Sequence, residues 1–170
     1  MPTEPWLKGA IDGIPPMLMP AVHALMQAQE DITRFTNNLT PEEIWQEPNG
    51  APSIGFHLRH LNGSCDRLLT YAKGENLSEA QFAFLVYEQM GAKNESAAEL
   101  VASANLRINE IIAYLHIVPE QDFLAERFVG RARLKTNVIG LLFHLAEHTQ
   151  RHVGSLIAIA RVVAVLSKLK

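Results

Sequence analysis

The chain has 170 residues, 48% hydrophobic and 19% charged, which is long and apolar enough to bury a core and excludes a disordered chain. A formal net charge of -3 gives no overall pull toward nucleic acid or an anionic membrane, so neither is expected as a partner. Cys65 is the single cysteine, which excludes an internal disulfide and fits a reducing, cytoplasmic setting.

Residues 1–15 are rich in proline and glycine and read as an irregular lead-in to a single domain over 1–170. They have neither the basic nor the apolar region of a signal peptide. From Pro16 to about Asn38, the apolar residues Leu18, Val22, Leu25, Met26, Ile32 and Phe35 recur at helical spacing. Thr40-Pro41-Glu42-Glu43 carries an N-cap threonine, a proline at the first helical position and a glutamate that completes a capping box. It predicts a short helix ending before Pro48-Asn49-Gly50.

Ser53 starts a second long helix that Gly74 stops. Its apolar stripe is Ile54, Leu58, Leu61, Cys65, Leu68, Leu69 and Ala72, with Arg59, Asn62, Asp66 and Thr70 opposite. Ser78 opens a further helical piece to about Met90-Gly91. Ser96, followed by Glu99, caps a third long helix to about His116, and Pro119 bars its continuation. Residues 119–135 lack a clean period; the short run Glu126 to Leu134 is compatible with an extended segment but predicts no sheet. Their basic run, Arg127 to Lys135, reads as a solvated loop, with reception of an anionic substrate or thiol as its functional alternative.

Thr136 starts the fourth long helix, which runs to about Leu166. Its most apolar part, Val153 to Leu166, is interrupted by Ser155 and Arg161 and falls short of the roughly 20 residues that span a bilayer. Four long helices with two longer connections predict an all-α fold, a four-helix bundle with short extra helices in the connections.

The last long helix carries His144, His148 and His152 four residues apart, so adjacent pairs can aim at one point. All three together span about 12 Å of helical rise, too far for one ion bound about 2 Å from each nitrogen. The apolar register favours His148 with His152 and turns His144 toward Glu147 and Arg151. The second helix offers His57 and His60 as a third ligand, and periodicity leaves the choice open with a lean to His57. His144-Leu145-Ala146-Glu147-His148 also matches an inverted zinc-protease motif, but its Glu147 falls on the polar face. Cys65 reads as a core residue rather than a nucleophile, and His23 and His116 as ordinary hydrogen-bonded histidines. Trp6 and Trp45 read as caps over the bundle ends.

Ser53-Ile54-Gly55-Phe56-His57-Leu58-Arg59-His60-Leu61, with Asp66-Arg67-Leu68-Leu69, resembles the second-helix signature of the DinB/YfiT-like superfamily. His148-Thr149-Gln150-Arg151-His152-Val153-Gly154-Ser155-Leu156 is similar to that family's last-helix segment, with Ser155 where the family often has glutamine. The resemblance implies a four-helix bundle that binds one divalent metal ion through His60, His148 and His152. It thus selects His60 where the wheel leans to His57, and leaves His57 and His144 as supporting residues. It also implies zinc or nickel first, with manganese or iron as alternatives, and a small-molecule substrate or low-molecular-weight thiol. The expected activity is thiol S-transfer or hydrolysis, with a non-catalytic metal- or small-molecule-binding stress-response protein as the alternative. A homodimer is expected, closed two-fold dimers being the commonest oligomers.

Overall fold

Polar caps set where the helices after the first begin. Thr40, Ser78 and Ser96 each accept a hydrogen bond from the backbone N–H three residues on, and the side chain there accepts one from the cap's own N–H. Ser53 and Asn137 accept from the N–H groups of Phe56 and Gly140. The computed structural model describes residues 3–91 and 95–169. Its helices are α1 (Met19–Thr36), α2 (Pro41–Ile44), α3 (Ile54–Lys73), α4 (Glu79–Glu88), α5 (Ala97–Ile117) and α6 (Val138–Ser167). Strands β1 (Glu126–Val129) and β2 (Leu134–Asn137) precede α6. Pro16–Leu18 forms a separate 3-10 turn, so α1 starts later than the proline pattern predicts.

The four long helices form the expected bundle. Helix α6 packs on α1 and α3, and α5 packs on the same two. Val22, Leu25 and Ile32 of α1, Leu58 and Leu61 of α3, Ile108 and Ile111 of α5, and Leu142, Leu145 and Val153 of α6 are all buried. Among the described residues no helix is long and apolar enough to cross a membrane.

The basic connection departs from the expectation of an irregular loop. Glu126, Arg127, Phe128 and Val129 pair antiparallel with Asn137, Thr136, Lys135 and Leu134. An isolated hairpin of this size is marginal in water, and here the bundle supports it. Arg127 Nε donates to the Ala72 carbonyl at the end of α3 at 2.8 Å, and Phe123 is buried just before β1. Four-residue strands with no buried residue leave too little alternation for a sequence pattern to register.

A second departure concerns the polar side of α3. Gly55, Arg59 and Gly63 lie four residues apart on one face, and Arg59 is buried. Its guanidinium lies 4.2 Å from the Trp45 ring and 4.6 Å from the Tyr87 ring. Its nitrogens donate to Glu95 and to the carbonyls of Met90 (2.7 Å) and Gly91 (3.1 Å). A helical wheel counts arginine as solvent-facing, yet its weakly hydrated plane stacks on aromatic rings while its edges hydrogen-bond. Trp45 therefore packs on the first turns of α3, and Trp6 is exposed.

Gly55 makes this layer possible, because a Cβ there would sit 2.6 Å from the Trp45 ring. Replacing a helical glycine with alanine ordinarily gains up to about 1 kcal/mol. Gly55→Ala is expected instead to destabilise the protein by about 1–3 kcal/mol through overpacking. Urea unfolding followed by tryptophan fluorescence checks the sign.

Candidate metal centre

Helices α3 and α6 meet along their histidines. His60 Nε2 lies 3.1 Å from His148 Nε2, and the His152 ring centroid is 4.4 Å from that of His60 and 4.5 Å from that of His148. One nitrogen from each of these three lies within 4.8 Å of the others. Tetrahedral nitrogens about 2.0–2.1 Å from a zinc ion are roughly 3.4 Å apart. Imidazole rotation covers the remaining difference, so the three residues fit a single divalent ion.

Two of the three rings have a partner behind them. His60 Nδ1 donates to Glu88 Oε2 at 2.9 Å, and Arg67 holds the same carboxylate through contacts of 2.5 and 3.2 Å. A carboxylate only accepts, so in neutral His60 the proton sits on Nδ1 and Nε2 is free to face the cluster. His152 Nδ1 lies 2.9 Å from His57 Nδ1, and the buried His57 Nε2 has no hydrogen-bond partner. Phe56 stacks on His60 with the ring planes 10° apart.

The site favours uncharged imidazoles. Burial, with the charge of His60 next, lowers the pKa of His148 to about 4 and of His152 to about 3. His57 is lowered to about 4 by the same two causes. Near neutral pH the two α6 rings are therefore unprotonated and have lone pairs to offer, as metal ligation requires. Glu88 stays ionised despite its burial: desolvation alone would raise its pKa, but hydrogen bonds from His60 and Arg67 hold it below the usual value.

The structure brings His60, His148 and His152 together and sorts the other candidates around them. His57 is buried behind His152. His144 is exposed and donates through Nδ1 to Glu147 at 2.8 Å, and Arg151 binds the same carboxylate. The protease-like Glu147 is thus engaged on the outer face of α6. Cys65 lies in the core 3.4 Å from Thr149 Oγ1, and burial pushes its thiol up to about 11, which removes it as a nucleophile. His23 Nε2 lies 3.0 Å from the Gly9 carbonyl, away from the cluster.

Sequence reasoning missed Glu88 and Arg67. Helix α4 is inverted: Phe82, Leu85 and Val86 are exposed while Glu88 is buried. Reading its apolar residues as the inward face points the helix the wrong way. The available signal was a lone carboxylate in the otherwise uncharged run from Ala80 to Met90.

A family model described as the DinB superfamily matches residues 24–156, from within α1 to beyond the last histidine of the cluster. The chain belongs to the DinB superfamily. A search of curated proteins finds no match. In this DinB-superfamily chain the matched region contains the whole histidine cluster together with Glu88 and Arg67.

The lowered histidine pKa values give a direction for acid sensitivity. As pH falls below about 6.5, the unfolded chain takes up protons at these positions before the folded chain does. The metal-free protein should therefore hold constant stability from these groups above neutrality and lose it between about pH 6.5 and pH 3. Urea midpoints measured across that range test it, and a flat profile would contradict the assigned neutral cluster.

Proposed function

We propose that this DinB-superfamily protein is a divalent-metal-dependent enzyme of the thiol S-transferase or hydrolase type. The observation that supports this reading is the convergence of three imidazoles with no fourth protein donor in the group among the described residues. Three nitrogen ligands leave further positions on an ion open, the arrangement of a catalytic rather than a structural site. A divalent ion in such a site supplies Lewis-acid chemistry, making a thiolate or an activated water available near neutral pH.

The chain's own residues divide the remaining work. His60, His148 and His152 bind the ion, and zinc or nickel suits an all-imidazole donor set. His57, closed off behind His152, orients that ring through the Nδ1–Nδ1 contact. His144 stands at the rim with its ring centroid 5.5 Å from that of His148, held by Glu147, and is the imidazole placed to serve substrate at the edge of the site. Phe56 covers one face of His60 and keeps water from that side.

Metal analysis of protein expressed with zinc, nickel and manganese available is expected to give one equivalent of ion. His148→Ala and His152→Ala should each reduce the bound metal to below about a tenth, while His144→Ala retains it and loses turnover. A screen for conjugation of low-molecular-weight thiols to electrophiles, and for ester or amide hydrolysis, then identifies the reaction. Absence of stoichiometric metal from the wild-type protein would sink the reading. Bound metal without turnover in either screen would favour a non-catalytic binding protein.

A further inference from the structure

We propose that Glu88, locked by Arg67 and seated against Gly63, is a positioning residue that fixes which nitrogen of His60 faces the metal site. The inference rests on the metal-binding reading above and deepens it.

Three observations carry it. The first is burial: Glu88 is 1% exposed, the one buried residue of α4. A carboxylate in that setting needs partners for its charge, and it has two, His60 and Arg67. Both lie on α3, so the buried carboxylate of α4 takes its hydrogen bonds and its countercharge, Arg67, from the neighbouring helix. The second is steric. A Cβ at position 63 would overlap Glu88 Oε1 and would lie 2.6 Å from the Phe84 ring. Glycine at 63 thus opens the space in α3 that the carboxylate occupies. The third is the inverted character of α4, which exposes Phe82, Leu85 and Val86 while burying its acid. Apolar burial does not explain that orientation. The polar ties to α3 do: Glu88 to His60 and Arg67, and Gln81 to Asp66 and Thr70 at 2.8 and 2.7 Å.

The consequence follows from the two-nitrogen chemistry of imidazole. With Nδ1–H committed to the Glu88 carboxylate, neutral His60 has its lone pair on Nε2, the nitrogen 3.1 Å from His148. The hydrogen-bonded anion also makes His60 a stronger donor to a cation. Arg67 keeps the carboxylate from turning away. Glu88 touches no reacting atom in this scheme and acts through His60 alone.

The test uses the full chain, with zinc as the probe and a chromophoric chelator as competitor. Affinity is referred to the folded fraction measured by circular dichroism. Glu88→Gln keeps the size and an acceptor oxygen but loses the charge, and is expected to weaken zinc binding by about 10–100-fold. Gly63→Ala displaces the carboxylate without removing any ligand and should weaken binding in the same direction. In zinc-loaded protein with 15N-labelled imidazoles, the wild-type His60 Nδ1 proton should be downfield and slow to exchange, and Glu88→Gln should move it upfield. A purely structural Glu88 would lower the melting temperature and leave both affinity and that proton unchanged, which overturns the proposal. Absence of the slowly exchanging proton from zinc-loaded wild type overturns it without any variant. If wild type binds no zinc, the metal reading itself fails. If wild type binds zinc through His60 and Glu88→Gln binds within twofold, only the role of Glu88 falls.

Discussion

The register of α3 against α6 governs the site. A straight helix can present two histidines to one ion but not three, so the third nitrogen must come from another backbone. Successive residues on a helix point about 100° apart, and a slip of one residue in α3 would carry His60 away from His148. Cys65 against Thr149, His60 against His148 and His57 against His152 hold the register at three points. Leu58 and Leu61 pin the same turn of α3 into the apolar core. The bundle is thus a device for setting one helix face against another, and the histidines occupy the place where that setting is most constrained.

Around this seam lies a second layer that apolar burial alone does not explain. Arg59 stacks between Trp45 and Tyr87, and Glu88 lies in the recess over Gly63. Burying ionised groups costs several kcal/mol per ion before pairing returns any of it. Such pairs are weak contributors to net stability, so their position matters more than their number. Here the buried acid lies directly behind His60. The same α3 face that admits α4 therefore also presents the carboxylate to the imidazole.

Electrostatically the site divides into an inner neutral part and an outer charged part. Burial and mutual repulsion keep His57, His148 and His152 unprotonated. Outside, His144, Glu147 and Arg151 form an exposed chain of charge-assisted contacts. The α6 histidine stripe crosses this boundary within two turns, which gives three similar residues three different environments.

Local chemistry of the chain was enough for much of the architecture. Thr40, Ser53, Ser78 and Ser96 start helices through bonds that reach only three residues, so the caps could be read in a linear order of side chains. The four long amphipathic helices followed from their period, and the histidine spacing on α6 limited any one ion to an adjacent pair. What the linear pattern could not convey depends on residues far apart in the chain. The wheel leaned to His57, but helix packing turns His60 to the cluster and puts His57 behind it, because facing direction is set by a neighbour rather than by a period. Arg59 falls on the polar side of its helix by the wheel and nothing in the period of α4 marks Glu88, because the aromatic rings and opposite charges that enclose them come from other elements. The β1–β2 hairpin drew its support from Ala72 and the core around Phe123, not from its own alternation. Hydrogen bonds within a turn can be written in neighbouring residues; the burial of a charge is decided by what folds over it.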